Sequence, residues 1–359
     1  MESISPSEFK SIYHKDILRK IIFIVVCIVI TLIAIGLELS MGAYEIGFFE
    51  SYEVLFDHIM GNIPAEEIGT GKDHVVWDLR LPRAIVGFAV GAGLGVCGAA
   101  MQSSMKNPLA DPYTTGISSG ASLGATLAIA LGLSILPGLY GQAAIIVNAF
   151  VFSLIPAIAI IAISSFKRDV SPATMILIGI AVMYFFTAAT TLIKLTASEE
   201  SLAEIYVWNV GSIGKAAWDN VGIILLASIL GIVAIQLIAS RLNVLIAYEK
   251  DAVCLGVNAK QTRLLSLTIV SLVTAVLVSF TGTIGFVGLV GPHVARLFLG
   301  SNNKYLIPAS AAFGAVLLLC SDCVAKTIYS GLPTGVVTAM LGGPLFLYLL
   351  IKQAKKYQW

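Results

Sequence analysis

Charge is scarce in this chain. Only 12% of its 359 residues are Asp, Glu, Lys or Arg, against 57% hydrophobic, and the mean hydropathy is +0.91. Soluble domains carry about 25% charged residues, so half of the expected solvated surface is missing and must face lipid. A net charge of +1 with scattered basic residues gives no electrostatic footprint for nucleic acid. Histidine is scarce as well: His14, His58 and His74 sit in polar flanks, and His293 alone nears an apolar run. An ion-coupled or naked-metal carrier needs clustered Asp, Glu or His at mid-membrane, and an intramembrane hydrolase needs paired carboxylates or a Ser or Cys beside a base. The sequence offers neither.

Cysteine adds no chemistry. Of five, Cys27, Cys97, Cys320 and Cys323 lie inside apolar runs and Cys254 in a polar stretch. The C-x-x-C spacing of Cys320 and Cys323 lacks a second pair or a nearby His to complete a ligand set, so the pair reads as two small helix residues, with no disulfide and no metal. Gly69-Thr70-Gly71-Lys72-Asp73 echoes the end of a phosphate-binding loop. That motif needs a Gly where Glu66 stands and a Ser or Thr where Asp73 stands, so the echo is false.

Long apolar runs are what the chain does have. A helix needs roughly 17 to 25 apolar residues to cross the hydrocarbon. Ten stretches qualify or nearly do, at 21–38, 84–105, 113–136, 141–163, 172–194, 220–240, 264–281, 283–299, 305–327 and 334–351. The fold predicted is an all-α polytopic membrane protein forming a single transmembrane domain over 1–359. Ile21 to Leu37 precedes acidic residues without a small-residue cleavage pattern, which reads as a retained first span. Lys and Arg stay on the cytoplasmic side, and most of the 22 gather on the face that holds residues 1–20, 241–263 and the C-terminus. Residues 39–79 then form the large external loop, and both termini are cytoplasmic.

Residues 241–263 read RLNVLIAYEKDAVCLGVNAKQTR, polar between two apolar runs. Such a stretch cannot cross a bilayer. Gly256 admits the positive φ that ends a helix sharply, which predicts two short helices joined there and lying on the membrane face, a handle by which a soluble partner moves the bundle. Gly87, Gly91 and Gly95 recur every four positions, a flat stripe for close helix packing. Asp322 and Lys326 lie four apart on one face and can pair; His293 and Arg296 near a span end suit snorkelling; Asp111, between Pro108 and Pro112, suits a helix cap. Spans two to five and seven to ten each hold a Pro- and Gly-broken segment, Asn107-Pro108 to Asp111-Pro112 and Gly285 to Pro292, which predicts an inverted repeat.

Several motifs carry a resemblance. Leu79-Arg80-Leu81-Pro82-Arg83, Gly98-Ala99-Ala100-Met101-Gln102, Asn107 to Pro112, Gly116 to Ala121, Leu255-Gly256-Val257, Gly285 to Val290, Pro292 to Arg296, and Pro333-Thr334-Gly335 to Pro344 together resemble the FecCD-type permeases over about 20–352. These are membrane subunits of ABC importers for iron-siderophores, haem and cobalamin. The resemblance implies a ten-span subunit, itself not an enzyme, in a homodimer in the cell membrane, with two cytoplasmic ATPases that hold ATP and Mg and one extracytoplasmic substrate-binding protein; no cofactor is expected on this chain. It implies coupling to the ATPases through Glu249, Asp251, Ala252, Val253, Leu255, Gly256 and Val257. It implies docking of acidic knobs of the binding protein on Arg80, Arg83 and Lys326, taken to lie at an exposed outer edge. Lys326 departs from the family's Arg, and Gly331 from its frequent Glu, which alters the outer rim; Lys gives a point charge where Arg gives a fork. An ion-coupled carrier working without an ATPase is the competing class, and a non-transporting membrane scaffold a further one.

Overall fold

In the computed structural model the described residues are 6–64, 68–166, 171–248, 252–329 and 331–356. They form helices throughout, with no β-strand among them. Seven helices are long and apolar enough to cross a membrane, and three shorter apolar ones fall at the remaining expected spans. In order the spans are α1 (Pro6–Ser40), α3 (Leu81–Ser104), α4 (Ile117–Leu131), α5 (Gly141–Phe166), α6 (Pro172–Lys194), α8 (Trp218–Leu237), α10 (Ala259–Thr281), α11 (Val287–Leu299), α12 (Asn303–Ile328) and α13 (Thr334–Lys356). Three further helices of ten or more residues lie between them, α2 (Phe48–Met60), α7 (Glu199–Val210) and α9 (Ala239–Tyr248), besides short helical turns at Gly71–Asp73, His74–Arg80 and Pro112–Thr115.

The bundle is built around α3, which is buried along nearly its whole length and packs against α12, α8, α11 and α10. Small residues make that position possible. A Cβ at Gly91 would strike the Gly314 carbonyl, at Gly95 the Ser310 carbonyl, and at Gly98 the Gly288 carbonyl, while Gly87 faces Leu319 and Ile213. Backbones therefore meet directly, and dispersion replaces the hydrophobic drive that lipid cannot supply.

The short spans have a common cause. α4 has 15 residues and α11 has 13, about 20 to 22 Å of helix against a hydrocarbon core of about 30 Å. Each is completed by buried irregular backbone, tolerated at membrane depth only inside protein. Before α4 that segment is Ala110 to Gly116, following the exposed Pro108 and Leu109; before α11 it is Gly282 to Phe286. The two meet: Gly288 lies against the Asp111 carboxylate and Pro112, and the Tyr113 hydroxyl donates to the Ile284 carbonyl at 3.0 Å. Both helices start from a left-handed residue, Gly116 at φ 88° and Phe286 at φ 68°. Spans three and eight are counterparts in the expected repeat, and they share this construction. Asp111 accepts from the Tyr113 amide at 2.9 Å and caps a single 3₁₀ turn, Pro112–Thr115.

Candidate functional site

The 241–263 stretch is mounted on the end of α3. Asn243 of α9 accepts from the Asn303 amide at 2.7 Å and donates to Asn302 Oδ1 at 2.9 Å. Asn303 Oδ1 in turn takes the Ser103 hydroxyl at 2.7 Å. On the other flank, the buried Arg263 donates Nε to the Ser104 carbonyl at 2.8 Å. Both legs of the stretch thus grip consecutive residues at the C-terminal end of the central helix. None of these polar contacts had a signal in sequence spacing, because the partners lie 59 to 200 positions apart.

At the tip, residues 252–257 form a tight turn. Amides of Leu255 and Val257 bond the Ala252 carbonyl at 3.1 and 2.8 Å, and Gly256 takes φ 72°. Ala252 is buried, whereas Val253 is 78% and Leu255 56% exposed. Two bare aliphatic side chains at the tip of a polar segment, beyond the spans, suit burial in a partner's cleft. Glu249 and Asp251 lie outside the described residues. After the turn Asn258 caps α10 directly, accepting from the Gln261 amide at 3.0 Å. The second short helix expected there is therefore the first turn of the next span, because an effective cap leaves no break between them.

The opposite end of α3 carries a buried charge cluster. Arg83 grips Asp322 with two parallel bonds, Nε to Oδ2 at 2.7 Å and Nη2 to Oδ1 at 2.8 Å, and lies 3.5 Å from Glu38 Oε1. Lys326 pairs with the Glu38 carboxylate and donates to the Glu38 carbonyl at 3.2 Å. The Thr334 hydroxyl adds a bond to Asp322 Oδ1 at 2.6 Å, and Cys323 Sγ lies 3.5 Å from Glu38 Oε2. Two carboxylates and two cations balance, and they join α1, α3, α12 and α13.

Three expectations are corrected here. Arg80 and Arg83 do not lie at an exposed edge. Arg80 is buried, donating to the Leu39, Ser40 and Tyr44 carbonyls at 2.7, 2.8 and 2.5 Å, because the chain after α1 folds back and leaves these acceptors for a cation to cap. Asp322 and Lys326 do not pair with each other, since better-placed partners stand on neighbouring helices. His293 does not snorkel: it is fully buried, edge-on to Phe346 with ring centroids 5.5 Å apart, while Arg296 reaches Gln102 Oε1 at 3.0 Å.

Of the expected outer cations, Arg83 opens onto a cavity of about 230 Å³ that is also lined by Gln142, Trp208, Lys215, Phe280 and Pro333. Gly335 approaches the backbone of residues 210–211, and its amide bonds the Gly211 carbonyl at 3.0 Å; Pro333 starts the turn that leads into it. Pro292 lies buried in the middle of α11. Cys320 and Cys323 take part in no grouping of His, Cys, Asp or Glu able to hold a metal among the described residues.

Residues 28–352 match the FecCD transport family. The cobalamin import system permease protein BtuC of Halobacterium salinarum is 39% identical over 77% of this chain and 73% of its own. The hemin transport system permease protein HmuU of Yersinia pestis is 33% identical over 92% of this chain and 95% of its own. A solved structure described as an inward-facing conformation of a metal-chelate type ABC transporter superposes with a TM-score of 0.78 at 28% identity, covering 92% of this chain and 98% of that one.

Proposed function

This chain belongs to the FecCD transport family, and from that membership we propose how its own residues divide the work of an importer. It is a multi-pass membrane permease subunit of an ABC importer that moves a metal chelate of the iron-chelate, haem or corrinoid kind. It is the transport subunit; ATP is bound with Mg and hydrolysed on two partner ATPases, and no cofactor sits on this chain. The subunit works as a homodimer in the cell membrane, termini on the cytoplasmic side, with one extracytoplasmic binding protein delivering the chelate.

The observation that carries the reading is the tip at 252–257. Its exposed Val253 and Leu255 enter a cleft of the ATPase together with Glu249, Asp251, Gly256 and Val257, while the buried Ala252 holds the turn from behind. Each aliphatic side chain, once buried, contributes about 1.5 to 3 kcal/mol to that contact. Because both flanks of the tip grip Ser103 and Ser104, directly or through Asn303, a displacement of the tip pulls on α3. This helix of 24 residues reaches about 36 Å to the charge cluster at its far end. Closure of the ATPases therefore reaches the outer mouth through a stiff, close-packed rod, and alternating access needs no titrating group in the bundle.

For docking, the burial of Arg80 and Lys326 favours internal roles for both. Arg83 is held by Asp322 but still faces the cavity that Lys215 also lines, and these two cations are left to meet acidic side chains of the binding protein. The test is reconstitution with the ATPase and binding protein: Val253→Glu with Leu255→Glu should abolish chelate uptake and ATPase association together. Normal uptake by that variant would defeat the assignment.

A further inference from the structure

Helix α2 is amphipathic, and its inner face and polar edge have partners within the chain whereas its outer face is bare. Its inner face packs Val54 and Leu55 onto the cluster of Leu39, Ile46 and Val76. Its polar edge is tied down: Glu50 pairs with Lys72 and accepts from the Gly47 amide, and these two contacts hold the carboxyl below its ordinary range. His58 meets Asp73 at 2.6 Å and stacks on Trp77 with centroids 3.9 Å apart. The outer face carries Phe49, Glu53, Phe56 and Met60 at helical spacing, with Ile59 beside them; Phe49 is 84% and Phe56 57% exposed.

The depth of the helix indicates what covers that face. Phe48 and Tyr52 lie against Gly36 of α1, and the Tyr52 hydroxyl donates to the Leu32 carbonyl at 2.7 Å. Leu32 is eight residues before the end of α1 at Ser40, about 12 Å down its axis. At this level α1 exposes Ile28, Val29, Leu32 and Ile33, its lipid-facing surface. The bare stripe of α2 continues that surface. Glu53 within the stripe limits the depth, because a carboxylate needs headgroup water.

We propose that α2 is a monotopic interfacial helix, seated in the outer headgroup and acyl boundary with Phe49, Phe56, Ile59 and Met60 in lipid. Amphipathic helices with aromatic and aliphatic side chains on one face bind at this level. The external loop is therefore a membrane-seated brace beside the first span, and its apolar face is closed to the binding protein.

Nitroxide labels at Phe49→Cys and, separately, Phe56→Cys test this in the full chain with Cys254→Ser, reconstituted in phosphatidylcholine nanodiscs. Leu32→Cys and Glu45→Cys serve as lipid and water references. Both test sites should collide with oxygen several-fold more than with a water-soluble nickel chelate, as the Leu32 site does. Readings like Glu45 at either site overturn the proposal, and shielding from both reagents does so by placing protein on this face.

Discussion

Glu38, Arg83, Asp322 and Lys326 place four formal charges inside an apolar bundle, and their arrangement predicts unequal outcomes for similar substitutions. Removing one member of a buried pair leaves an uncompensated charge, at a cost of about 3 to 5 kcal/mol. Arg83→Met alone should therefore lower the thermal transition of the detergent-solubilised protein sharply. Arg83→Met with Asp322→Leu deletes a whole pair, leaves Glu38 with Lys326, and should recover most of the loss; a double variant as unstable as the single would refute this partition. The cations themselves were legible in sequence, because Arg80 and Arg83 sit in a recognisable motif. Their partners were not. Asp322 lies 239 positions from Arg83, and helical spacing pointed Lys326 to Asp322 on its own helix, whereas Glu38 on another helix takes it.

At the scale of elements, α3 shows what small residues do in lipid. The four-residue recurrence of Gly87, Gly91 and Gly95 was readable as a packing face, but its main partner, the 310–319 region of α12, was not. Gly98 meets the Gly288 carbonyl, so Gly98→Val must push backbone against backbone and should cost more than about 3 kcal/mol. The expected result is loss of a monodisperse peak in size-exclusion chromatography. Gly222 of α8 is the internal control: nothing lies within 4 Å of a Cβ there, so Gly222→Ala should keep the peak and change stability by less than about 1 kcal/mol. Equal behaviour of the two variants would remove the argument from close approach. The shortness of α11 was visible as a broken stretch from Gly285 to Pro292, although the helix begins at Val287 and runs through Pro292; that of α4 was not, because 113–136 reads as a full span whereas the helix covers only Ile117–Leu131. That the broken segments meet inside the bundle follows from contacts across some 170 positions, beyond the reach of local pattern.

For the whole molecule, composition alone fixed the environment, and the poverty of ionisable groups in the spans pointed to an outside source of work. The handle at 241–263 stood out as a polar interruption, yet its mounting on α3 through Asn243, Asn303 and Arg263 became visible only with the fold. That mounting separates binding from coupling. Asn243→Ala should keep ATPase association while lowering chelate uptake per ATP hydrolysed, measured in proteoliposomes; unchanged stoichiometry would discount the rod. The most direct test of the central claim is chelate uptake by proteoliposomes holding this chain and its ATPase, with the binding protein supplied on the outer face, for the unaltered protein and for Gly256→Val, whose side chain opposes the φ of 72°. The account predicts uptake that requires ATP on the ATPase side, ignores proton and sodium gradients, and is lost in Gly256→Val while ATP hydrolysis continues. Uptake driven by an ion gradient with no ATPase present would contradict it.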